Sequence, residues 1–114
     1  MEKLRVLIVD DEHMTRTFIK GCLQMSFPGC IIVEAASGKS AIEKMKSESF
    51  DIVLCDWHLP DINGCEILEW VRNESDAKDI PFMMITGDSD RENIAKAITL
   101  GARAMLSSHL TAQA

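Results

Sequence analysis

The sequence is short of basic residues, has no tyrosine and contains no long apolar stretch. Lysine and arginine number 12 against 18 acidic residues, for a formal net charge of −6. That balance leaves no basic stripe for a nucleic-acid backbone and no polybasic anchor for an anionic membrane surface. No apolar run approaches the ~20 residues needed to span a bilayer. The opening residues Met1-Glu2-Lys3-Leu4-Arg5 interleave charged and apolar side chains and do not read as a signal peptide. Repeats, low-complexity segments and linkers are lacking too. The 4 cysteines, Cys22, Cys30, Cys55 and Cys65, are even in number, so a disulfide framework has to be weighed. They form no C-x-x-C pair and have no zinc-type spacing to histidine, and Cys55 sits in an apolar run as a small buried hydrophobe does. They read as reduced thiols in a cytoplasmic setting.

What remains is 114 residues, 46% apolar and 26% charged, the profile of one ordinary globular domain over 1–114. A chain of that length buries about two-thirds of its unfolded surface and needs no disulfide to hold a core. Short apolar runs alternate with amphipathic ones. Leu4 to Val9 is nearly unbroken apolar sequence, and Ile31-Ile32-Val33, Ile52-Val53-Leu54-Cys55, Phe82-Met83-Met84-Ile85 and Ala104-Met105-Leu106 follow as further strands. Between them, Thr15, Phe18, Ile19, Cys22 and Leu23 recur at helical spacing, as do Ala41, Ile42 and Met45, and then Cys65, Ile67, Leu68 and Val71. Ser89 and Glu92 have capping-box spacing before a helix through Ile94, Ala97 and Ile98, which Gly101 stops. The pattern predicts five strands and four helices in alternation. Strands without polar alternation are buried on both faces, as in a parallel sheet covered by helices, so the expected fold is doubly wound α/β.

In such sheets ligands bind beyond the carboxyl ends of the strands. Asp10-Asp11-Glu12 follow the first strand, Asp56 ends the third, Thr86 the fourth, and Ser107-Ser108 the fifth. Asp10, Asp11 and Asp56 are thereby expected to converge. Like charges at short range raise one another's pKa values, and a hard divalent cation such as Mg²⁺ relieves the repulsion. A carboxylate beside Mg²⁺ can also attack phosphorus. A single acidic residue at a strand end is more simply a solvated loop residue; the Asp pair with two further strand-end polar groups argues for a site.

Val9-Asp10-Asp11-Glu12, Asp56-Trp57-His58-Leu59-Pro60-Asp61-Ile62-Asn63-Gly64, Ile85-Thr86-Gly87 and Gly101-Ala102 together resemble a response-regulator receiver domain of two-component signal transduction, of the chemotaxis-regulator kind. The resemblance runs from Leu4 to about Leu110, and the stretch from Asp56 to Gly64 is its most specific part. It implies a flavodoxin-like parallel sheet in the order 2-1-3-4-5. Asp56 matches the acceptor of a phosphoryl group from a histidine kinase or phosphotransfer protein. Asp11, Asp56 and the backbone carbonyl of His58 match direct Mg²⁺ ligands, and Asp10 matches the acid that holds a metal-bound water. Thr86 matches the hydroxyl that turns toward the phosphoryl group, and Met105 stands where the family has its switch aromatic. His58 and Asp88 occupy positions that modulate aspartyl-phosphate hydrolysis in the family, though either reads equally as a solvated loop residue.

The sequence departs from the family at Ser108, where a lysine is usual. Serine cannot supply the ammonium, and a lost charge-assisted hydrogen bond costs about 1.5–3 kcal/mol, so weakened phosphorylation or signalling is expected. Gly38-Lys39-Ser40 has the look of a phosphate-loop tail, but the glycine required five residues earlier is Val33, and it reads as a strand-to-helix turn. His13 reads as an exposed helix-start residue. Two other functions compete with a phosphoacceptor receiver. One is a degenerate pseudo-receiver acting as a phosphorylation-independent binding or dimerisation module, favoured by Ser108 and Met105. The other, ranked well below, is an aspartate-nucleophile phosphatase, whose Asp-x-Asp pattern is absent from Asp10-Asp11-Glu12. Self-phosphorylation is not conventional turnover, so the chain is not expected to be an enzyme in that sense. A homodimer is kept open, and neither nucleic acid nor membrane is expected as a direct partner. The resemblance also implies a closing helix after the fifth strand, which Thr111-Ala112-Gln113-Ala114 could at most begin. The fifth helix is therefore expected to be missing or truncated, leaving an apolar sheet face.

Overall fold

The computed structural model describes residues 3–74, 79–86 and 104–107, the last four, with Glu74 and Thr86, by backbone alone. The elements run β1 (Arg5–Val9), α1 (His13–Ser26), β2 (Ile31–Ala35), α2 (Gly38–Ser47), β3 (Ile52–Asp56), α3 (Gly64–Glu74), β4 (Phe82–Thr86) and β5 (Ala104–Ser107). All five strands are parallel and lie in the order β2-β1-β3-β4-β5. The fold is the doubly wound α/β arrangement expected from the alternation, with the flavodoxin-like strand order that the resemblance implies. The helix expected through Ile94 and any helix after β5 fall outside the described residues.

The unbroken apolar strands are explained by where their side chains go. Val6, Leu7, Ile8 and Val9 are all fully buried, yet they alternate between two cores. Leu7 and Val9 join Val53, Cys55, Phe82 and Met84 against Ala41 of α2 and Ile67, Leu68 and Val71 of α3. Val6 and Ile8 join Leu54 and Ile85 against Ile19 of α1, with Leu23 packed alongside. Two helices thus cover one face and α1 lies on the other, the layering that right-handed crossovers produce. On the α1 side an apolar groove of ≈ 590 Å³ is lined by Phe18, Leu23, Leu54, Met83 and Ile85 among others. The 4 cysteines form no disulfide, and Cys55 and Cys65 are buried. Among the described residues no helix is long and apolar enough to cross a membrane.

Local chemistry accounts for the helix starts. Ser37 caps α2 with its hydroxyl, which accepts from the Ser40 N–H at 3.1 Å. Gly38-Lys39-Ser40 forms the first turn of α2, directly after the bend at Ala36-Ser37 that leads from β2 into the helix. Asn63 does the same for α3, its side-chain oxygen accepting from the Glu66 N–H at 2.9 Å. At α1 the cap position is Glu12, without a side-chain cap bond. That helix begins two residues before Thr15, the first residue of its apolar stripe.

Candidate functional site

The strand register assembles the site. Val9 pairs with Cys55, so Asp10, one residue on, stands beside Asp56 at the carboxyl edge of the sheet. Asp56 in turn pairs with Ile85, which brings the backbone of Thr86 to the same edge. Thr86 pairs with Ser107 of β5, and Met84 with Met105. Ser108 and Asp88 lie outside the described residues.

Carboxylate oxygens of Asp10, Asp11 and Asp56 all lie within 4.8 Å of one another. Asp10 is buried at 3% exposure, Asp56 is half-buried and Asp11 is exposed. Burial, then the Asp10 charge, pushes the Asp56 carboxyl up from 3.8 to about 6, while the His58 backbone N–H pulls the other way. Burial raises Asp10 as well, opposed by the Glu12 N–H, which donates to Asp10 Oδ1 at 2.8 Å. Burial also pushes the Cys55 thiol up, so it stays protonated; it donates to the Asp56 carbonyl oxygen at 3.2 Å.

The donor set suits a hard cation. It is all oxygen, and octahedral Mg²⁺ with bonds of ~2.1 Å spaces neighbouring ligand oxygens by about 3 Å. The three carboxylates stand within 4.8 Å of one another, and Asp11 is exposed to solvent.

Residues 6–113 match the family model described as the response regulator receiver domain. The chain belongs to that family. Chemotaxis protein CheY-3 of Vibrio cholerae is 31% identical over 112 residues, covering 97% of this chain and 85% of that protein. Chemotaxis protein CheY of Pseudomonas aeruginosa is 32% identical over 111 residues, covering 96% and 88%. Among solved structures, a CheY-like receiver domain protein of Methanospirillum hungatei has a TM-score of 0.84 at 29% identity, covering 93% of this chain and 82% of its own. Vibrio cholerae CheY4 at low pH has a TM-score of 0.84 at 27% identity, covering 98% and 97%.

In this receiver domain the loop from β3 to α3 is held at its base. The Trp57 N–H donates to the Ile85 carbonyl at 3.0 Å and the Gly64 N–H to the Trp57 carbonyl at 2.8 Å. Trp57 itself is buried in the core at 4% exposure, whereas His58 and His13 are exposed.

Two residues that shape the site had no role assigned to them from the sequence, although Asp61 lies within the Asp56 to Gly64 motif. Arg16 donates through Nη1 to the Asp10 carbonyl at 2.6 Å and through Nε to Glu34 of β2 at 3.0 Å, stitching α1, β1 and β2 together behind the acidic cluster. Its sequence signal is an arginine three residues before the buried Ile19, a position on the helix face turned toward the sheet. Arg16→Met is expected to cost about 1 kcal/mol in urea unfolding, because Glu34 and the Asp10 carbonyl lose a charged donor. Lys20, 3.8 Å from Glu34, limits the loss. The second residue, Asp61, binds the β3–α3 loop to α2.

Proposed function

We infer that this receiver domain takes a phosphoryl group onto Asp56 from a phosphohistidine of a cytoplasmic kinase or phosphotransfer protein, with Mg²⁺ as cofactor. The observation that carries the reading is the convergence of the Asp10, Asp11 and Asp56 carboxylates within 4.8 Å at the sheet edge. Asp56 has the chemistry of a nucleophile. With its carboxyl at about 6 it is mostly ionised at neutral pH, yet more basic than an ordinary aspartate.

In the transfer, a carboxylate oxygen of Asp56 forms a bond to phosphorus as the bond from phosphorus to the donor imidazole nitrogen breaks. The electron pair leaves on that nitrogen. Asp11, Asp56 and the His58 carbonyl would hold Mg²⁺ directly and Asp10 through a water. When bound, the metal neutralises charge on the phosphoryl oxygens. Thr86, whose backbone follows Ile85 at the same sheet edge, would turn its hydroxyl toward the phosphoryl group. The family lysine is replaced by Ser108, so uptake is expected to be slower than in receivers that keep the lysine. The reaction is self-modification of the chain and not turnover.

The test is intact mass after incubation with Mg²⁺ and acetyl phosphate. A gain of one phosphoryl group, abolished in Asp56→Asn and by chelation of the metal, is the expected result. No gain in the unchanged chain would favour a phosphorylation-independent binding module. Continuous release of phosphate would indicate a phosphatase.

A further inference from the structure

We propose that Asp61 is a positioning residue for the acceptor loop, fixing the path of His58 by clamping the loop to the start of α2. The inference rests on the reading above that the His58 carbonyl is a metal ligand.

Asp61 lies five residues past Asp56, and its carboxylate leaves its own loop to act as a cap for a different element. Oδ1 accepts from the Gly38 N–H at 2.8 Å and Oδ2 from the Lys39 N–H at 2.8 Å. Oδ1 also accepts from the Ile62 N–H at 2.8 Å. The first N–H groups of a helix have no partner within it. In α2 the Ser37 hydroxyl serves Ser40, so Asp61 serves the two that remain ahead of it. A negative group there also meets the positive end of the helix dipole.

A second contact backs the clamp. The Ile62 side chain lies directly over Gly38, where a β-carbon would overlap Ile62 Cγ1 and sit 3.2 Å from Asp61 Oδ1. Gly38 is thus the residue that lets the loop approach α2 this closely. Ile62 and Leu59 also pack against the core on this face.

The consequence falls on His58. Trp57 is held to β4 through its N–H, and Asp61 is held to α2 through its carboxylate. Only residues 58–60 span the interval, and Pro60 has its φ fixed. A three-residue span pinned at both ends leaves the His58 carbonyl little freedom. Releasing the Asp61 end means that the carbonyl must be ordered when metal binds, and ordering a backbone weakens binding.

The test is Mg²⁺ titration of the 114-residue chain at constant ionic strength, followed by backbone amide shifts, with circular dichroism and thermal melts to establish folding. Asp61→Ala is expected to bind Mg²⁺ about three- to tenfold more weakly while remaining folded. That is below the 10–100-fold typical of groups hydrogen-bonded directly to a ligand. Asp61→Asn keeps one acceptor oxygen and is expected to fall in between; it carries the test if the alanine variant does not fold. Ser37→Ala removes a cap from the same helix but leaves the clamp, and should leave Mg²⁺ affinity unchanged. Unchanged affinity in both Asp61 variants would overturn the proposal. So would equal weakening in Ser37→Ala, since general loosening of α2 would then suffice. An unchanged chain that shows no saturable response, or one that Asp56→Asn reproduces, would overturn the metal-site reading itself and the proposal with it.

Discussion

At pH 7 and without divalent metal, Asp56→Asn should melt at a higher temperature than the unchanged chain. The native fold holds Asp56 half out of water and beside the Asp10 charge, an arrangement that opposes folding. A carboxyl raised from 3.8 to about 6 implies about 3 kcal/mol against the ionised form if nothing screened it. Asp56 is only half-buried, and solvent screening reduces that to roughly 1–2 kcal/mol. For a chain of this size the gain corresponds to about 4–8 °C. Asparagine keeps an acceptor for the His58 N–H while removing the charge, so the variant also relieves Asp10.

The pH dependence has a definite sign. Because Asp56 is raised in the fold, its contribution to stability is fully present below 3.8 and is lost as pH rises through about 6. The melting temperatures of the two chains should therefore converge below pH 3.8, separate as pH rises from there to about 6, and stay apart above it. Asp61 titrates with the opposite sign, because the Lys39, Gly38 and Ile62 N–H groups lower it, but it is common to both chains and cancels in the difference. Metal works against this difference. A ligand that binds only the folded state stabilises by RT ln(1 + [L]/Kd). Added Mg²⁺ should raise the unchanged chain and leave Asp56→Asn nearly where it was, closing the gap. Differential scanning fluorimetry in chelator and in Mg²⁺ reads both effects. Equal melting temperatures at pH 7 in chelator would mean that Asp56 is not held against its own charge.

The fold was legible because strands buried on both faces leave an unmistakable trace. Val6-Leu7-Ile8-Val9 has no polar alternation, since its odd and even side chains enter two different cores. The acidic cluster was legible for a related reason. Asp10 and Asp56 each stand at the carboxyl end of a central strand, and β1 and β3 turn out to be neighbours. The ties that brace the cluster were not legible in the same way. Arg16 and Asp61 act through hydrogen bonds to backbone atoms 6 and 23 positions away. Such bonds depend on which loops the topology brings together, and a charged residue in a loop or on a helix carries no periodic mark of its partner. The start of α1 was legible as well, at His13. It stands directly after the strand-end acidic cluster, although Glu12 makes no side-chain cap bond there.

Gly64→Val should cost on the order of 3 kcal/mol and slow phosphoryl uptake on Asp56 about a hundredfold. Gly64 opens α3 where the helix returns to the end of β3, and its N–H is drawn onto the Trp57 carbonyl at 2.8 Å. A β-carbon there would lie 2.6 Å from the Asp56 carbonyl oxygen and 3.2 Å from Trp57 Cα and from Met84 Sδ. The methionine sulfur can swing aside, but the other two atoms are backbone and move only if the strand end or the helix moves. Overpacking of that kind costs about 1–3 kcal/mol, occasionally more. Alanine would recover up to about 1 kcal/mol through its better helix propensity; valine, β-branched and stiff, recovers less and adds bulk. The displaced residue is Asp56, the acceptor under the proposed function. Misplacement by about 1 Å is enough to lose roughly a hundredfold in rate. Gly21→Ala is the matched control, because a β-carbon on Gly21 in α1 meets nothing within 4 Å and should leave stability unchanged or slightly improved. Urea unfolding gives the stability of each variant, and the rate of mass gain with acetyl phosphate gives uptake. If Gly64→Val lost stability but took up phosphoryl at the unchanged rate, the strain would have gone into α3 and not into the strand end that presents Asp56.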